Sequence, residues 1–377
     1  MIFNCYKIYC ANVLSKYYFI RVKNRLYSGL IWTQRISIFA QKNLSMKHLT
    51  IIVPNGEGNN LSSIVGAYKI FTKANKYWKV NHKKELFNIQ LAGVSKKVEF
   101  YEGLFAVKPH TNIAAITKTN LIIIPSLNHN YQKVVKENKL LIDWIEKQYK
   151  YGAEIATICT GAFMLASTGL LDGKNCSTHW SAADNFRTMF PKVNLQTDKL
   201  ITDENGIYTN GGAFSFLNLI IYLVEKYYDR QTAIFCSKVF QIEMDRQSQS
   251  AFTIFTGQKL HGDEMVVKAQ EHLESNLHEK ISIENLSSKF SVGRRNFDRR
   301  FIKATGNTPV EYLQRVKVGS AKKLFETSRK TISEVMYEVG YSDNKAFREV
   351  FRKITGLSPI EYKKKYNKEA LVYAKLL

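Results

Sequence analysis

Two hydrophobic rhythms divide the chain. From residue 46 to about 240, short apolar runs alternate with helical stretches. The runs 47–53, 87–92, 121–124 and 155–158 read as buried strands, and 61–75 and 140–149 as helices between them. In the second helix Leu141, Ile142 and Ile145 share one face. Strands alternating with helices predict a mostly parallel sheet covered on both faces, an α/β domain.

From about 263 to 366 the period is helical and the pattern repeats. Phe297, Phe301, Lys303, Thr305, Gly306, Pro309, Glu311 and Tyr312 recur fifty residues later as Phe347, Phe351, Lys353, Thr355, Gly356, Pro359, Glu361 and Tyr362. Ile283, Leu286 and Phe290 precede the first copy much as Ile332, Val335 and Val339 precede the second. Spacings of three and four put these on one helix face. Each copy predicts helix, short turn, helix: 283–290, 291–293 and 294–304, then 332–339, 340–343 and 344–354. That is the helix-turn-helix plan, whose second helix enters the DNA major groove. Pro309 opens a helix between the copies, extending to about 326, with Gly319 as a weak point inside it.

Charge sharpens this picture only through placement. Lys plus Arg number 55 against 32 Asp plus Glu, a net charge of +23, which suits a polyanionic partner. Yet 46–240 and 263–377 each carry 23 basic and 15 acidic residues, so net charge locates nothing. Position does: Arg294, Arg295, Asn296, Arg299, Arg300 and Lys303 face a single acid, Asp298, on one short helix. Asn344, Lys345, Arg348, Arg352 and Lys353 hold comparable places in the second copy. Arg reads guanine and Asn reads adenine, which makes Arg294, Arg295, Asn296, Arg299, Asn344, Lys345 and Arg348 base-reading candidates. Lys303, Arg352 and Lys353 are candidates for phosphate. A lone basic helix is more often a solvated face; two in a duplicated frame are not.

The ends and cysteines bound the rest. Residues 1–45 hold seven basic residues and no acid, and are set aside as a basic leader, with Met46 a possible start. Residues 241–262 are expected to link the domains, and 367–377 to form a tail. No apolar run approaches the roughly 18 residues of a membrane helix. The five cysteines (Cys5, Cys10, Cys159, Cys176 and Cys236) contain no Cys-x-x-Cys pair, so neither a disulfide framework nor a metal site is expected. Cys176 and Cys236 read as inert core residues, and a reducing cytoplasm fits.

One stretch carries chemistry. The run 154–158 ends at Cys159 and a helix begins at once, a nucleophile-elbow arrangement with Cys in place of Ser. A helix start there is expected to lower the thiol pKa. Among the later residues of this domain only His179 offers a base, and no His-x-Glu pair follows it. Glu57 lies nearby in sequence without being placed. The expectation is a non-catalytic elbow, with Cys159, Thr160 and His179 lining a ligand pocket. Oxidation of the elbow thiol is a further option.

Cys159-Thr160-Gly161-Ala162-Phe163, Leu165-Ala166, Gly169-Leu170-Leu171-Asp172-Gly173 and Ser177-Thr178-His179-Trp180 resemble the PfpI-type, glutamine-amidotransferase-like domain. The version fused to AraC-type regulators, the GlxA family, is the closest in pattern. The runs 62–71 and Asp245-Arg246-Gln247-Ser248-Gln249 also fit that group. Thr160 stands where PfpI-like peptidases have His, and Ser63 where relatives often carry an acid. The fifty-residue repeat resembles the AraC-type DNA-binding domain. The resemblance implies a flavodoxin-like domain followed by an all-α domain with two helix-turn-helix motifs. It implies double-stranded DNA and a small-molecule effector as partners, a homodimer, no cofactor, and two recognition helices in successive major grooves. An enzyme hydrolysing an amide or scavenging a carbonyl through Cys159 is the alternative.

Overall fold

The computed structural model describes residues 46–56, 59–127, 129–246, 248–255, 257–259, 261–279 and 281–367. The leader 1–45 with Cys5 and Cys10, Glu57, and the tail beyond Asn367 lie outside the described residues.

The α/β domain is built on a seven-stranded sheet ordered β10-β11-β7-β6-β1-β2-β5. Its members are β1 (Lys47–Ile52), β2 (Phe87–Gly93), β5 (Thr111–Asn112), β6 (Leu121–Ile124), β7 (Glu154–Ile158), β10 (Ile201–Glu204) and β11 (Ile207–Asn210). All pairings are parallel except β10 with β11. The run β2-β1-β6-β7-β11 has the 2-1-3-4-5 order of flavodoxin-like sheets. Two small ribbons lie outside it: β3 (Val98–Phe100) with β4 (Phe105–Val107), and β8 (Asn175–Cys176) with β9 (Asn194–Leu195). Strand β6 reads Leu-Ile-Ile-Ile and all four residues are buried, as a strand covered on both faces requires.

Helices close both faces. One core packs α1 (Leu61–His82), α6 (Phe216–Tyr227) and α7 (Arg230–Phe240) against Leu49, Ile51, Leu121 and Ile158. The other packs α2 (Tyr131–Glu137), α3 (Lys139–Lys150), α4 (Ala162–Ala166) and α5 (Ala183–Met189) against Ile52, Ile122, Ile124 and Ile155. Helix α1 extends two turns beyond the expected end, because Trp78 adds apolar contact and the helix stops only at Lys83, in a left-handed conformation.

The all-α part contains α8 (Glu264–Ser275), α9 (Ile283–Lys289), α10 (Arg294–Thr305), α11 (Pro309–Thr327), α12 (Ile332–Glu338), α13 (Asn344–Thr355) and α14 (Pro359–Tyr366). Gly306 and Gly356, at φ 71° and 76°, end α10 and α13 in the left-handed region that glycine enters without strain. Helices α11, α12 and α14 each start with a capping box: Thr308 with Glu311, Thr331 with Glu334, and Ser358 with Glu361.

The repeat extends to individual bonds. Phe301 meets Tyr312 edge to face at 5.3 Å, and Phe351 meets Tyr362 at 5.5 Å, both at 79°. Thr305 Oγ1 donates to Phe301 O, and Thr355 Oγ1 to Phe351 O, both at 2.8 Å. Tyr312 donates to Glu274 of α8, and Tyr362 to Glu326 of α11. Helix α8 therefore serves the first copy as α11 serves the second. Its pattern of Val266, Ala269 and Leu273 sits in the first copy's core, an element outside the fifty-residue repeat.

Candidate functional site

The residues singled out in the sequence lie in two places: the outward faces of α10 and α13, and the turn after β7. In α10, Phe297 and Phe301 are fully buried and fix which way the helix faces. In α13, Phe347 and Phe351 do the same. The remaining positions turn outward. Arg295, Asn296, Arg299 and Lys303 are exposed on α10; Asn344, Lys345, Arg348, Arg352 and Lys353 are exposed on α13.

The cations are not equivalent. Arg294 Nε donates to Asp298 at 2.8 and 2.9 Å and its Nη1 meets Glu284. Arg300 forms a two-point pair with Asp263 at 2.7 and 3.0 Å. These two guanidiniums are held by carboxylates of their own domain. Arg299 Nη2 donates to Asn296 Oδ1 at 2.9 Å, so these two side chains form one preset group. Among the described residues, no ion pair ties Arg295, Lys303, Lys345, Arg348, Arg352 or Lys353. Positive charge without a carboxylate partner on two equivalent helices is what a polyphosphate backbone attracts.

The turn after β7 is a strained elbow. Cys159 has φ 54°, a conformation uncommon for a residue with a Cβ. Gly161 is obligatory there: a Cβ would lie 2.5 Å from Pro125 O and 2.9 Å from Ile124 O. Thr160 Oγ1 donates to Leu127 O at 2.8 Å, accepts from Leu127 N at 2.9 Å and lies 3.0 Å from Ser126 Oγ. Thr160 thus stitches the elbow to the end of β6. Ser63 Oγ donates to Asn60 O at 2.7 Å and accepts from Ser126 N at 3.1 Å, so it too is spent on the frame.

The sulfur is not the thiolate expected from a helix start. Cys159 is 4% exposed, and burial pushes its thiol pKa up despite hydrogen bonds from Ser126, Thr160 and the backbone of His179. The helix that follows has only five residues, and burial of the charge outweighs its weak dipole. His179 Nδ1 lies 2.7 Å from Ser181 Oγ and accepts from Ser181 N at 3.2 Å, capping the turn at Trp180–Ala182. Burial and nearby His129 hold the His179 pKa below its usual value, so the ring stays neutral near pH 7. Thr178 Oγ1 donates to Cys159 O at 2.9 Å. The structure brings Cys159, Thr160 and His179 to one end of the sheet, with the imidazole turned to Ser181. Cys176 and Cys236 are buried free thiols.

Among the described residues, no group of three His, Cys, Asp or Glu side chains could hold a metal ion. No helix among them is long and apolar enough to cross a membrane.

Sequence reasoning did not find Asp198, Arg315 or Lys322, which join the two domains, and marked Gln249 only as the end of the run 245–249. Arg315 Nη2 donates to Asp198 Oδ2 at 2.6 Å. The partners lie 117 positions apart, and no local pattern marks such a pair.

The family model for the DJ-1/PfpI family matches residues 76–226, and that for a helix-turn-helix domain matches 286–365. The chain is similar to the HTH-type transcriptional regulator GbdR of Pseudomonas aeruginosa, 27% identical over 221 residues. That alignment covers 58% of this chain and 59% of the relative. It is also similar to the HTH-type transcriptional regulator GlxA of Rhizobium meliloti, 22% identical, covering 56% of this chain and 65% of the relative. The chain thus spans about three fifths of the curated relatives' length. Among solved structures it resembles Drosophila melanogaster DJ-1beta, with a TM-score of 0.44 and 17% identity, over 53% of this chain and 100% of that one. The chain thus joins a domain that matches the DJ-1/PfpI family to a helix-turn-helix domain.

Proposed function

We propose that the chain is a sequence-specific DNA-binding transcription regulator that reads DNA with α10 and α13. The observation that carries this reading is the duplication: two helices, fixed by matching Phe–Phe–Tyr clusters, each present exposed cations without a carboxylate partner. Arg295, Asn296 and Arg299 are the base-reading set on α10; Asn344, Lys345 and Arg348 are the set on α13. Lys303, Arg352 and Lys353 take phosphates. Arg294 is saturated by Glu284 and Asp298 and would have to exchange partners to reach a base.

The DJ-1/PfpI domain serves as a sensor of a small molecule or as the dimerisation unit, without catalysis. A buried thiol of raised pKa and an imidazole committed to Ser181, with no carboxylate hydrogen-bonded to that imidazole among the described residues, support this over turnover at Cys159. The regulator works in the cytoplasm as a homodimer, which suits paired half-sites on DNA.

Fluorescence anisotropy on selected DNA tests the assignment. Arg295→Ala should relax base preference at one position at a cost of about 1–3 kcal/mol. Lys353→Ala should weaken binding to all sequences alike and reduce the salt slope by about one. A change of sequence preference in Lys353→Ala would overturn the sorting of contacts. Cys159→Ala should leave DNA binding intact; its abolishing a hydrolytic activity of the purified chain would favour the enzyme.

A further inference from the structure

The motif that ends at Ser248 and Gln249 belongs neither to the DNA face nor to the elbow chemistry. Its neighbours give it a mechanical place. On the α/β side, Gln249 is 1% exposed and its Nε2 donates to Thr178 O at 2.9 Å. Thr178 in turn holds Cys159 O. A Cβ on Gly211 would lie 2.0 Å from that Gln249 nitrogen, so only glycine admits the amide. Ser248 Oγ donates to Asp198 O at 2.8 Å, and Ser250 Oγ to Asp198 Oδ1 at 3.2 Å.

On the DNA-binding side the same stretch grips α11. Lys322 donates to Thr253 O, and the Phe255 ring meets Tyr312 edge to face at 5.1 Å. Asp198 accepts from Arg315 through both oxygens, at 3.2 and 2.6 Å. Arg315 Nε also donates to Asn307 Oδ1 at 2.9 Å, in the turn directly after α10. The stretch 248–255 is therefore packed on both sides instead of spanning open solvent. A small cleft of about 60 Å³ lies at this joint, lined by Trp180, Asp184, Asp198, Phe255, Asn307 and Arg315. A molecule entering it meets both halves of the joint, one residue from His179.

We infer that residues 248–255 and the Asp198–Arg315 pair form a clamp that docks α11 on the α/β domain and transmits movement of the Thr178–His179 segment to the turn after α10. The DNA-facing cations stay exposed in the docked form, so the clamp sets how the recognition helices are held and does not mask them. The transmission half rests on the DNA-binding reading; the docking half does not.

Hydrogen exchange and DNA anisotropy on the full chain test it with Asp198→Asn, Arg315→Met and the double variant, circular dichroism confirming the fold. Each single variant should speed exchange of the 248–255 amides roughly tenfold, the effect of losing one charge-assisted contact. The double variant should add little to either, because one interaction is lost in all three. Each should also shift affinity for one DNA sequence about threefold or more. Unchanged or additive exchange overturns the docking. Faster exchange with unchanged DNA affinity overturns the transmission. Absence of DNA binding by the wild type sinks the DNA reading and the transmission together, while exchange still decides the docking. Should either single variant fail to fold, Lys322→Gln cuts the clamp at its other anchor, Thr253 O, and is judged by the same two readouts.

Discussion

At Cys159 the backbone and the sulfur pull apart. The left-handed φ and the obligatory Gly161 are what a nucleophile elbow requires, and both were legible in the order strand, Cys, Thr, Gly, helix. The thiol's ionisation was not, because it depends on burial in the folded core, which outweighs the hydrogen bonds that Ser126 and His179 bring to the sulfur. Two outcomes follow at this scale. Iodoacetamide should modify Cys159 of the folded protein at pH 7 at least about tenfold more slowly than the urea-unfolded chain, since only the thiolate reacts and its pKa is raised. Mass spectrometry of the tryptic peptide reads this, and rapid labelling at pH 7 would contradict the buried site. Gly161→Ala should cost about 2–4 kcal/mol in urea melts, because the Pro125 and Ile124 carbonyls cannot move away from a Cβ without distorting the end of β6, the central strand of the sheet.

Among elements, the linker helix α11 is the informative one. Its start was legible from Pro309, and the structure adds a capping box of Thr308 with Glu311. Thr308→Ala should therefore cost about 1 kcal/mol of stability. Gly319 looks like a weakness, yet a Cβ there would meet only Phe255 Cβ at 3.6 Å, an ordinary contact. Gly319→Ala should stabilise the chain by about 0.5–1 kcal/mol in thermal melts, and a loss of stability would show that the helix cannot accept the methyl group.

Lys322 gives the same helix a pH signature. Burial lowers its pKa from 10.5 to about 8. The folded chain sheds this proton above about pH 8 while the unfolded chain keeps it until above 10. Between those values Lys322 makes the unfolded state bind the extra proton and favours the fold as pH rises, while the buried thiols of Cys159, Cys176 and Cys236, whose pKa values are raised, act in the opposite direction. Above about pH 10 stability falls further, because buried Tyr312, Tyr341 and Tyr362 have raised pKa values and resist ionisation only when folded. From pH 8 to 10 the urea midpoint of the wild type should gain on that of Lys322→Gln, the difference between the two slopes isolating the lysine. An unchanged slope would assign the effect elsewhere.

For the whole molecule, periodicity carried most of the fold. The strands at 121–124 and 155–158 and both helix-turn-helix units sit where their spacing put them, give or take a residue or two. What sequence concealed was relational. Helix α8 fell outside the repeat, though it supplies Glu274 to Tyr312 as α11 supplies Glu326 to Tyr362. The β10–β11 hairpin gave no clean alternation, since β11 is buried throughout. The pairing of Arg294 and Arg300 with acids, which leaves Arg295 and Arg299 as the open set, depends on Glu284 and Asp263 from other helices.

The central claim is that α10 and α13 read DNA as two equivalent heads. Selection of bound sequences from a random duplex pool, followed by footprinting with the wild type, Arg295→Ala and Arg348→Ala, tests it most directly. Each bound chain is predicted to protect two segments centred about one helical turn, roughly 10 base pairs, apart, so that a homodimer protects two such pairs, with each variant relaxing preference in a different segment of a pair. No enriched sequence, or both variants altering the same segment, would contradict it.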